Sequence, residues 1–388
     1  MIATLALLAA GVLSADSIET TFVAEGVTRQ VGGYSPVRAQ LSEERGDIQK
    51  LPDGLASPRF AKIRFGDLAW SLALDEPADG PARLFVDSNH DGDLTNDPAI
   101  EWTSRDVGTL KTHHGSTTIE LEHPQAGRIN IYRFDPNDPL RKSLKDTVLY
   151  YADFGYKVTL KLDGQEHVTF AAGSLDTLRR MWVDRDQNGQ RSYKRETVVV
   201  GTPFNFTGTT YTLVARDGKL NLEKAATPVP LMPLPPNLAR GQKVLPFEAE
   251  TLAGDKIKFP DAFRGKIVLL DFWATWCGPC IGEIPNVKQA YEDSHEKGFE
   301  VLGISFDNAG AVEKVKAFLT EHELPWPQIY EGKGWGTTIG EQYDVSAIPF
   351  VLLVDGSTGE ILATTRELRG PGLTELVAKH LADASSSK

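Results

Sequence analysis

Between Ala226 and Asn237 the chain reads ATPVPLMPLPPN, five prolines in twelve residues. Each proline fixes its own φ and lacks an N–H, so neither an α-helix nor an interior strand can run through this stretch. It favours extended polyproline geometry and acts as a semi-rigid spacer. At 388 residues the chain is long enough for two or three domains. The prolines divide it: a linker over 226–240 separates a region over 20–225 from one over 241–388.

The region after the linker alternates strand and helix patterns. KIVLLDFWA (Lys266–Ala274) is an unbroken apolar run of strand length, GEIPNVKQAYEDSHEKG is helical, and FEVLGISFD (Phe299–Asp307) is a second buried strand. AVEKVKAFLTEHE is an amphipathic helix, PFVLLVD (Pro349–Asp355) and EILATTR (Glu360–Arg366) are strands joined by a Gly-containing turn, and GLTELVAKHLAD is a closing helix. Such alternation predicts an α/β domain with a central sheet covered by helices. The region before the linker is mostly β: AKIRFGDLAWSLAL, KVTLKLDG, HVTFAA and TYTLVARDGKLNL alternate apolar and polar residues between turn signals.

The first region also carries an internal echo. Arg83-Leu-Phe-Val-Asp-Ser-Asn-His-Asp-Gly92 matches Arg180-Met-Trp-Val-Asp-Arg-Asp-Gln-Asn-Gly189, and GSTTIEL from Gly115 matches GTTYTL from Gly208, at offsets of 97 and 93. Two related units are expected, about 20–125 and 126–225, unless turn chemistry alone makes the likeness.

Composition is that of ordinary globular material, 41% hydrophobic and 24% charged, with a net charge of −12. That charge argues against a nucleic-acid partner and against binding an anionic membrane surface. The opening MIATLALLAAGVLSADSIE contains an apolar run, Ile2–Leu13, and Leu13-Ser14-Ala15 has the character of a cleavage site. Residues 1–15 therefore read as a signal peptide and the protein as exported, although no Lys or Arg precedes the run. The alternative is a frayed apolar terminus. No other stretch is apolar and long enough to span a bilayer, so no membrane-spanning segment is expected in the mature chain.

The chain has two cysteines, Cys277 and Cys280, both within DFWATWCGPC. A zinc site needs about four ligands, and neither a second cysteine pair nor a His-x-x-x-His spacing supplies the rest. A structural clip closing two intervening residues would constrain little unfolded-chain entropy. A redox dithiol fits better. The pair follows a buried strand where a helix begins, and unpaired N–H groups there stabilise a thiolate. Cys277 is the expected attacking sulfur. Cys280, one turn deeper, is placed to attack the mixed disulfide. Trp273, Phe272 and Phe350 read as core or rim packing. The adjacent His113 and His114 read as part of a surface loop.

VLLDFWATWCGPC followed about 70 residues later by SAIPFVLLVD resembles the thioredoxin fold, and Trp276-Cys277-x-x-Cys280-x-x-Glu283-x-Pro285 resembles the TlpA-like extracytoplasmic thiol–disulfide oxidoreductases. The resemblance spans about 245–385. It implies that Ile348-Pro349 is the family's cis-proline element, which packs beside the dithiol and presents backbone to an extended substrate. It implies that Trp276 flanks the mouth of the site. It also implies that Asp271, six residues before Cys277, is the buried carboxylate that accepts the resolving thiol's proton. The family's thioredoxins pair that carboxylate with a lysine on the next strand. VLGISFD has none, and Gly303 stands near the corresponding position. The repeats of the first region resemble β domains attached to such modules in some bacteria.

Two acidic loops remain. DSNHDGD (Asp87–Asp93) and DRDQNGQ (Asp184–Gln190) follow the pattern D-x-[DN]-x-[DN]-G, in which alternate oxygens converge on a hard cation. Asp87, Asn89, Asp91, Asp93, Asp184, Asp186 and Asn188 are the candidate Ca²⁺ ligands. The twelfth position, glutamate in a helix–loop–helix hand, is Pro98 in one loop and Arg195 in the other, and the flanks read as strands. The alternative is a solvated Asx-rich turn.

The expected function is exchange of disulfides with protein substrates through Cys277 and Cys280. Gly-Pro between the cysteines and Ile before the proline resemble reducing members of the superfamily, so reduction is favoured over oxidation. The redox chemistry needs no bound cofactor. No Gly-rich nucleotide fingerprint is present, so electrons would come from an upstream thiol donor, in a periplasmic or other extracytoplasmic setting. Two alternatives stand beside this. One is a thiol peroxidase, although the related peroxiredoxins use Thr-x-x-Cys with no second cysteine two residues on. The other is a β-repeat binding protein whose redox module services a bound partner.

Overall fold

The computed structural model describes residues 16–107, 110–122, 125–189 and 191–386. The apolar run at 2–13 and its expected cleavage site lie outside them. The chain forms two compact units, one built from residues up to Arg191 with Glu196–Pro233, the other from Leu234 onward with Ser192–Arg195.

The first unit is mostly β. A five-stranded antiparallel sheet runs in the order Val37–Gln40, Thr147–Ala152, Ala126–Phe134, Leu110–Glu120, Thr103–Val107. A three-stranded sheet, Pro58–Phe65, Leu68–Asp75 and Arg83–Val86, shares a core with it around Trp70, Leu72, Ile129 and Tyr150. Ser17–Val23, Gly155–Leu162 and Gln165–Ala172 form another sheet. Its Val158 and Leu160 pack in a second core with Met181, Phe204 and Tyr211.

Two expectations are corrected here. The boundary at 125/126 falls inside the hairpin that pairs Glu120 with Ala126, so it cuts one sheet. Ser17–Val23, at the start of the first expected repeat, pairs along its length with Gly155–Leu162 of the second. Local repetition of sequence did not reveal these long-range pairings. His113 and His114 lie within the strand Leu110–Glu120, not in a loop. The His114 ring stacks on Tyr132.

The second unit has a five-stranded mixed sheet in the order Gln328–Tyr330, Phe299–Ser305, Ile267–Trp273, Phe350–Asp355, Ile361–Thr364. The first three strands are parallel and the last two antiparallel to their neighbours. Successive side chains of Ile267–Trp273 point to opposite faces. Ile267 and Leu269 meet Val287 and Ala290 of the helix Gly278–Ser294 and Val377 of the helix Leu373–Ser386. Val268, Leu270 and Phe272 meet Val315 of the helix Val312–Glu321 and Ile339 of the short helix Thr338–Gln342. Burial on both faces explains why the strand's sequence is a continuous apolar run. Its one polar residue, Asp271, shares the face of Ile267 and Leu269, beneath the helix Gly278–Ser294. This is the arrangement the thioredoxin resemblance implied. No helix among the described residues is long and apolar enough to cross a membrane.

Candidate active site

The strand Ile267–Trp273 ends four residues before Cys277, and the helix Gly278–Ser294 begins one residue after it. Cys277 is the residue preceding the helix, with extended φ −89° and ψ 92°, and its Sγ accepts the backbone N–H of Cys280 at 3.2 Å. The free N–H groups of the first turn therefore address Cys277, which favours negative charge on that sulfur. Pro279 lies in this turn, where a missing N–H costs nothing. Cys277 and Cys280 are joined in a disulfide with Cα atoms 5.2 Å apart. Each is 5% exposed, so position on the helix, not exposure, distinguishes them.

The loop that delivers Cys277 is held from behind. Asp307, 2% exposed, accepts the Thr275 N–H at 3.0 Å, the Thr275 hydroxyl at 2.5 Å and the Ser305 hydroxyl at 2.9 Å. A buried carboxylate with this many donors fixes the backbone between strand and helix. Sequence reading gave Asp307 no role. The available signal was its place two residues after the buried strand Phe299–Ser305.

Trp276 is 46% exposed, and its ring lies 6.0 Å from that of Trp335, which is 44% exposed. Trp335 comes from the 3₁₀ segment Gly334–Gly336, far along the chain, and rests edge-on against Phe306. Its pairing with Trp276 depends on tertiary structure and had no local signal.

Asp271, Cys280, Glu283, Pro349, Gln328 and Arg369 all line one cavity beneath the helix start. Asp271 is partly buried and pairs with Gly303 on one side and Val351 on the other. Burial, with a smaller contribution from the nearby Glu283 carboxylate, pushes its pKa up to about 7. The space over Gly303 is filled by the Gln328 side-chain amide, which a Cβ on Gly303 would overlap at 2.0 Å. That amide accepts the Trp273 Nε1–H at 2.9 Å. A neutral, tethered amide thus stands over the position where a lysine was sought, and Asp271 keeps its raised pKa.

Glu283 lies one turn after Cys280 on the same helix. Burial raises its pKa, but the N–H of Gly370, the Asn286 amide and the Arg369 guanidinium outweigh this and hold it below the usual carboxylate range. Of two carboxylates on one cavity, Glu283 stays ionised and Asp271 titrates near neutrality. The three-residue spacing from Cys280 was the sequence signal for Glu283, quoted in the motif without a role. The Ile348–Pro349 peptide is cis. Ile348 packs against the core and Phe350 meets Phe272 edge-on. Trp273 is 4% exposed and its ring lies tilted against that of Phe318, in keeping with a packing role.

The acidic loops belong to the first unit. The Asp93 carboxylate is taken by Lys50 Nζ at 2.5 Å and by Thr95. In the second loop Asp184, Asp186 and Glu196 bring carboxylate oxygens within 4.8 Å of one another.

Comparison with protein families matches residues 240–361 to the AhpC/TSA family. The thioredoxin-like protein YneN of Bacillus subtilis is 35% identical over 119 residues, 30% of this chain and 66% of the relative, just under two thirds of its length. Thiol-disulfide oxidoreductase ResA of Bacillus cereus is 31% identical over 141 residues, 36% of this chain and 76% of the relative. Among solved structures, the thioredoxin domain of a thiol-disulfide oxidoreductase from Bacteroides vulgatus is 32% identical, covering 37% of this chain and 99% of that one with a TM-score of 0.34.

Proposed function

Because this chain belongs, through its C-terminal part, to the ResA-like thiol–disulfide oxidoreductases, we propose that it reduces disulfides of protein substrates with the Cys277–Cys280 pair. In the reduced enzyme the Cys277 thiolate attacks one sulfur of a substrate disulfide. The substrate S–S bond breaks, its other sulfur leaves as a thiolate and takes a proton, and a mixed disulfide forms on Cys277. Cys280 then gives its proton to Asp271 and attacks Cys277 Sγ. This releases the second substrate thiol and leaves the intramolecular disulfide. Two electrons pass to the substrate, and an upstream thiol donor returns them. Cys277 attacks and Cys280 resolves, Asp271 is the proton acceptor, Ile348–Pro349 presents backbone to the substrate, and Trp276 guards the entrance.

The observation that carries this reading is a bonded cysteine pair at a helix start over a cavity holding a carboxylate of pKa about 7. Cys-Gly-Pro-Cys and the Ile before the proline favour reduction over oxidation. The apolar run at 2–13 and the absence of any spare cysteine in the sequence suit an exported, periplasmic protein.

The AhpC/TSA family match favours one second reading, thiol peroxidase chemistry at Cys277. Cys280, bonded to Cys277, favours exchange instead. Insulin reduction driven by dithiothreitol, run beside hydrogen peroxide consumption, separates the two. Exchange predicts turnover of insulin and negligible use of peroxide, and the reverse pattern would replace this reading.

A further inference from the structure

The first unit contains a pair of buried carboxylates that the thiol chemistry does not use. Asp87 is 4% exposed and Asp97 is 8% exposed, and they stand at the two ends of one loop. Asp87 Oδ2 accepts the Gly92 N–H at 3.1 Å, and Asp97 Oδ1 accepts the Ser88 N–H at 3.0 Å and the Ser88 hydroxyl at 2.5 Å. The other oxygen of each, Asp87 Oδ1 and Asp97 Oδ2, is buried with no hydrogen-bond partner.

Buried carboxylate oxygens are normally hydrogen-bonded, ion-paired or metal-bound. Asp75, 0% exposed, is the comparison within this unit: the N–H groups of Ala56 and Ser57 and the Arg83 guanidinium satisfy both its oxygens. Around Asp87 the charges add instead of cancelling. Burial raises its pKa, and Asp97 and Asp91 raise it further against the Gly92 N–H. His90 opposes them, but an imidazole is a cation only when protonated, and this ring packs on Trp70 with centroids 5.0 Å apart. The nearby Lys50 is spent on Asp93.

We propose that the loop Asp87–Asp97 is a Ca²⁺ site, in which Asp87 and Asp97 supply carboxylate oxygens and Asn89 and Asp91 the other side-chain oxygens. Asp97, at position 11, takes the place of the glutamate that the sequence lacks at position 12. Asp93, at position 7, is not needed as a side-chain ligand, since a loop of this pattern uses the backbone carbonyl there. That leaves its carboxylate free to pair with Lys50. A flexible, all-oxygen set suits Ca²⁺ over Mg²⁺, which demands near-ideal octahedral geometry.

The second loop repeats the construction. Gly189 N–H meets Asp184 Oδ2 at 3.0 Å as Gly92 meets Asp87, and Arg185 N–H meets Glu196 Oε1 at 2.8 Å as Ser88 meets Asp97. The fourth and sixth positions are left-handed in both loops, His90 and Gly92 at φ 62° and 75°, Gln187 and Gly189 at 58° and 70°. An acid beyond the glycine therefore closes both loops onto the first aspartate.

The test uses the full-length chain, stripped with a chelator and titrated with CaCl₂ by calorimetry. Binding is expected with a Kd of about 10⁻⁴–10⁻³ M, together with a rise of a few degrees in the first unit's melting midpoint between excess chelator and saturating Ca²⁺. Asp97→Asn keeps the acceptor for Ser88 and should weaken this binding event at least ~10-fold, an effect expected of a lost carboxylate ligand. Asp87→Asn should do the same, yet melt no lower than wild type in chelator, because it removes an unpaired buried charge. Identical wild-type melting curves with Ca²⁺ and chelator would overturn the proposal. So would an unchanged titration in both variants.

Discussion

The backbone N–H of Cys280 points at the sulfur of Cys277, 3.2 Å away. One cysteine thus caps the helix that contains the other. On reduction, Cys277 keeps the first-turn N–H groups in front of it, while Cys280 faces the cavity that holds Asp271. The two thiols enter different electrostatic surroundings although both are 5% exposed in the disulfide.

Cys277 should therefore be the faster thiol to alkylate in the reduced protein at neutral pH. The N–H groups of the first helical turn favour its thiolate over that of an ordinary cysteine. Cys277→Ser should abolish insulin reduction. Cys280→Ser should leave Cys277 reactive and trap substrates as mixed disulfides. Competitive iodoacetamide labelling followed by peptide mapping reads the order, and faster labelling at Cys280 would reverse the assigned roles.

Asp271 makes two predictions of opposite sense. Its folded pKa of about 7 lies above the value of ~3.9 expected in the unfolded chain, so the folded state holds the proton more tightly. Its contribution to stability is therefore most favourable below about pH 4, declines as pH rises to about 7, and is level above that. Asp271→Asn should leave stability unchanged near pH 4 and raise it at pH 8 by ~1–3 kcal/mol. That is less than the ~4 kcal/mol of the full shift because the carboxyl is only partly buried. Activity should move the other way. The wild-type rate should climb through about pH 7 as Asp271 becomes able to accept a proton, and the variant should lose that limb and ~10²-fold in resolution of the mixed disulfide. Denaturant melts at pH 4 and 8, beside single-turnover rates across the same range, give both readouts. A variant that is less stable at pH 8 would refute the buried-charge account.

Much of the redox unit was legible because its signals are local. The strand Ile267–Trp273 is a continuous apolar run, so a buried strand followed directly, while Asp271 was singled out through the thioredoxin resemblance, from its place six residues before Cys277. The short strand Gln328–Tyr330 and the helix Thr338–Gln342 escaped notice, being too brief for periodicity to register. The functional residues that were missed share another cause. Asp307 acts through Thr275, Gln328 through the space over Gly303, and Trp335 through Trp276, and none of these pairs is near in sequence. In the first unit the strands were legible but their partners were not. The hairpin that pairs Glu120 with Ala126 and the pairing of Ser17–Val23 with Gly155–Leu162 expose the error of cutting at residue 125. The acidic loop was found from its alternate oxygens. Asp97 was passed over because it stands one position from where the pattern seeks a glutamate.

Trp335 provides a test of how substrates are gripped. Its ring lies 6.0 Å from that of Trp276, which is on the loop that delivers the attacking cysteine, and both are nearly half exposed. Exposed indoles are costly to leave in water without a purpose, and two of them side by side offer flat apolar contact to a polypeptide. A small disulfide offers little surface beyond the sulfur it exchanges, whereas an extended chain has residues on either side that need a contact. Trp335→Ala should therefore raise KM for insulin or a cystine-containing peptide ~3–10-fold, from the ~0.5–1.5 kcal/mol that an aromatic contact contributes. It should leave kcat, and turnover of hydroxyethyl disulfide, close to wild type. Trp335→Phe should restore most of the loss, because an aromatic face remains over Phe306. Equal losses on both classes of disulfide would mean that Trp335 merely supports the loop around Cys277, and the same steady-state assay distinguishes the two outcomes.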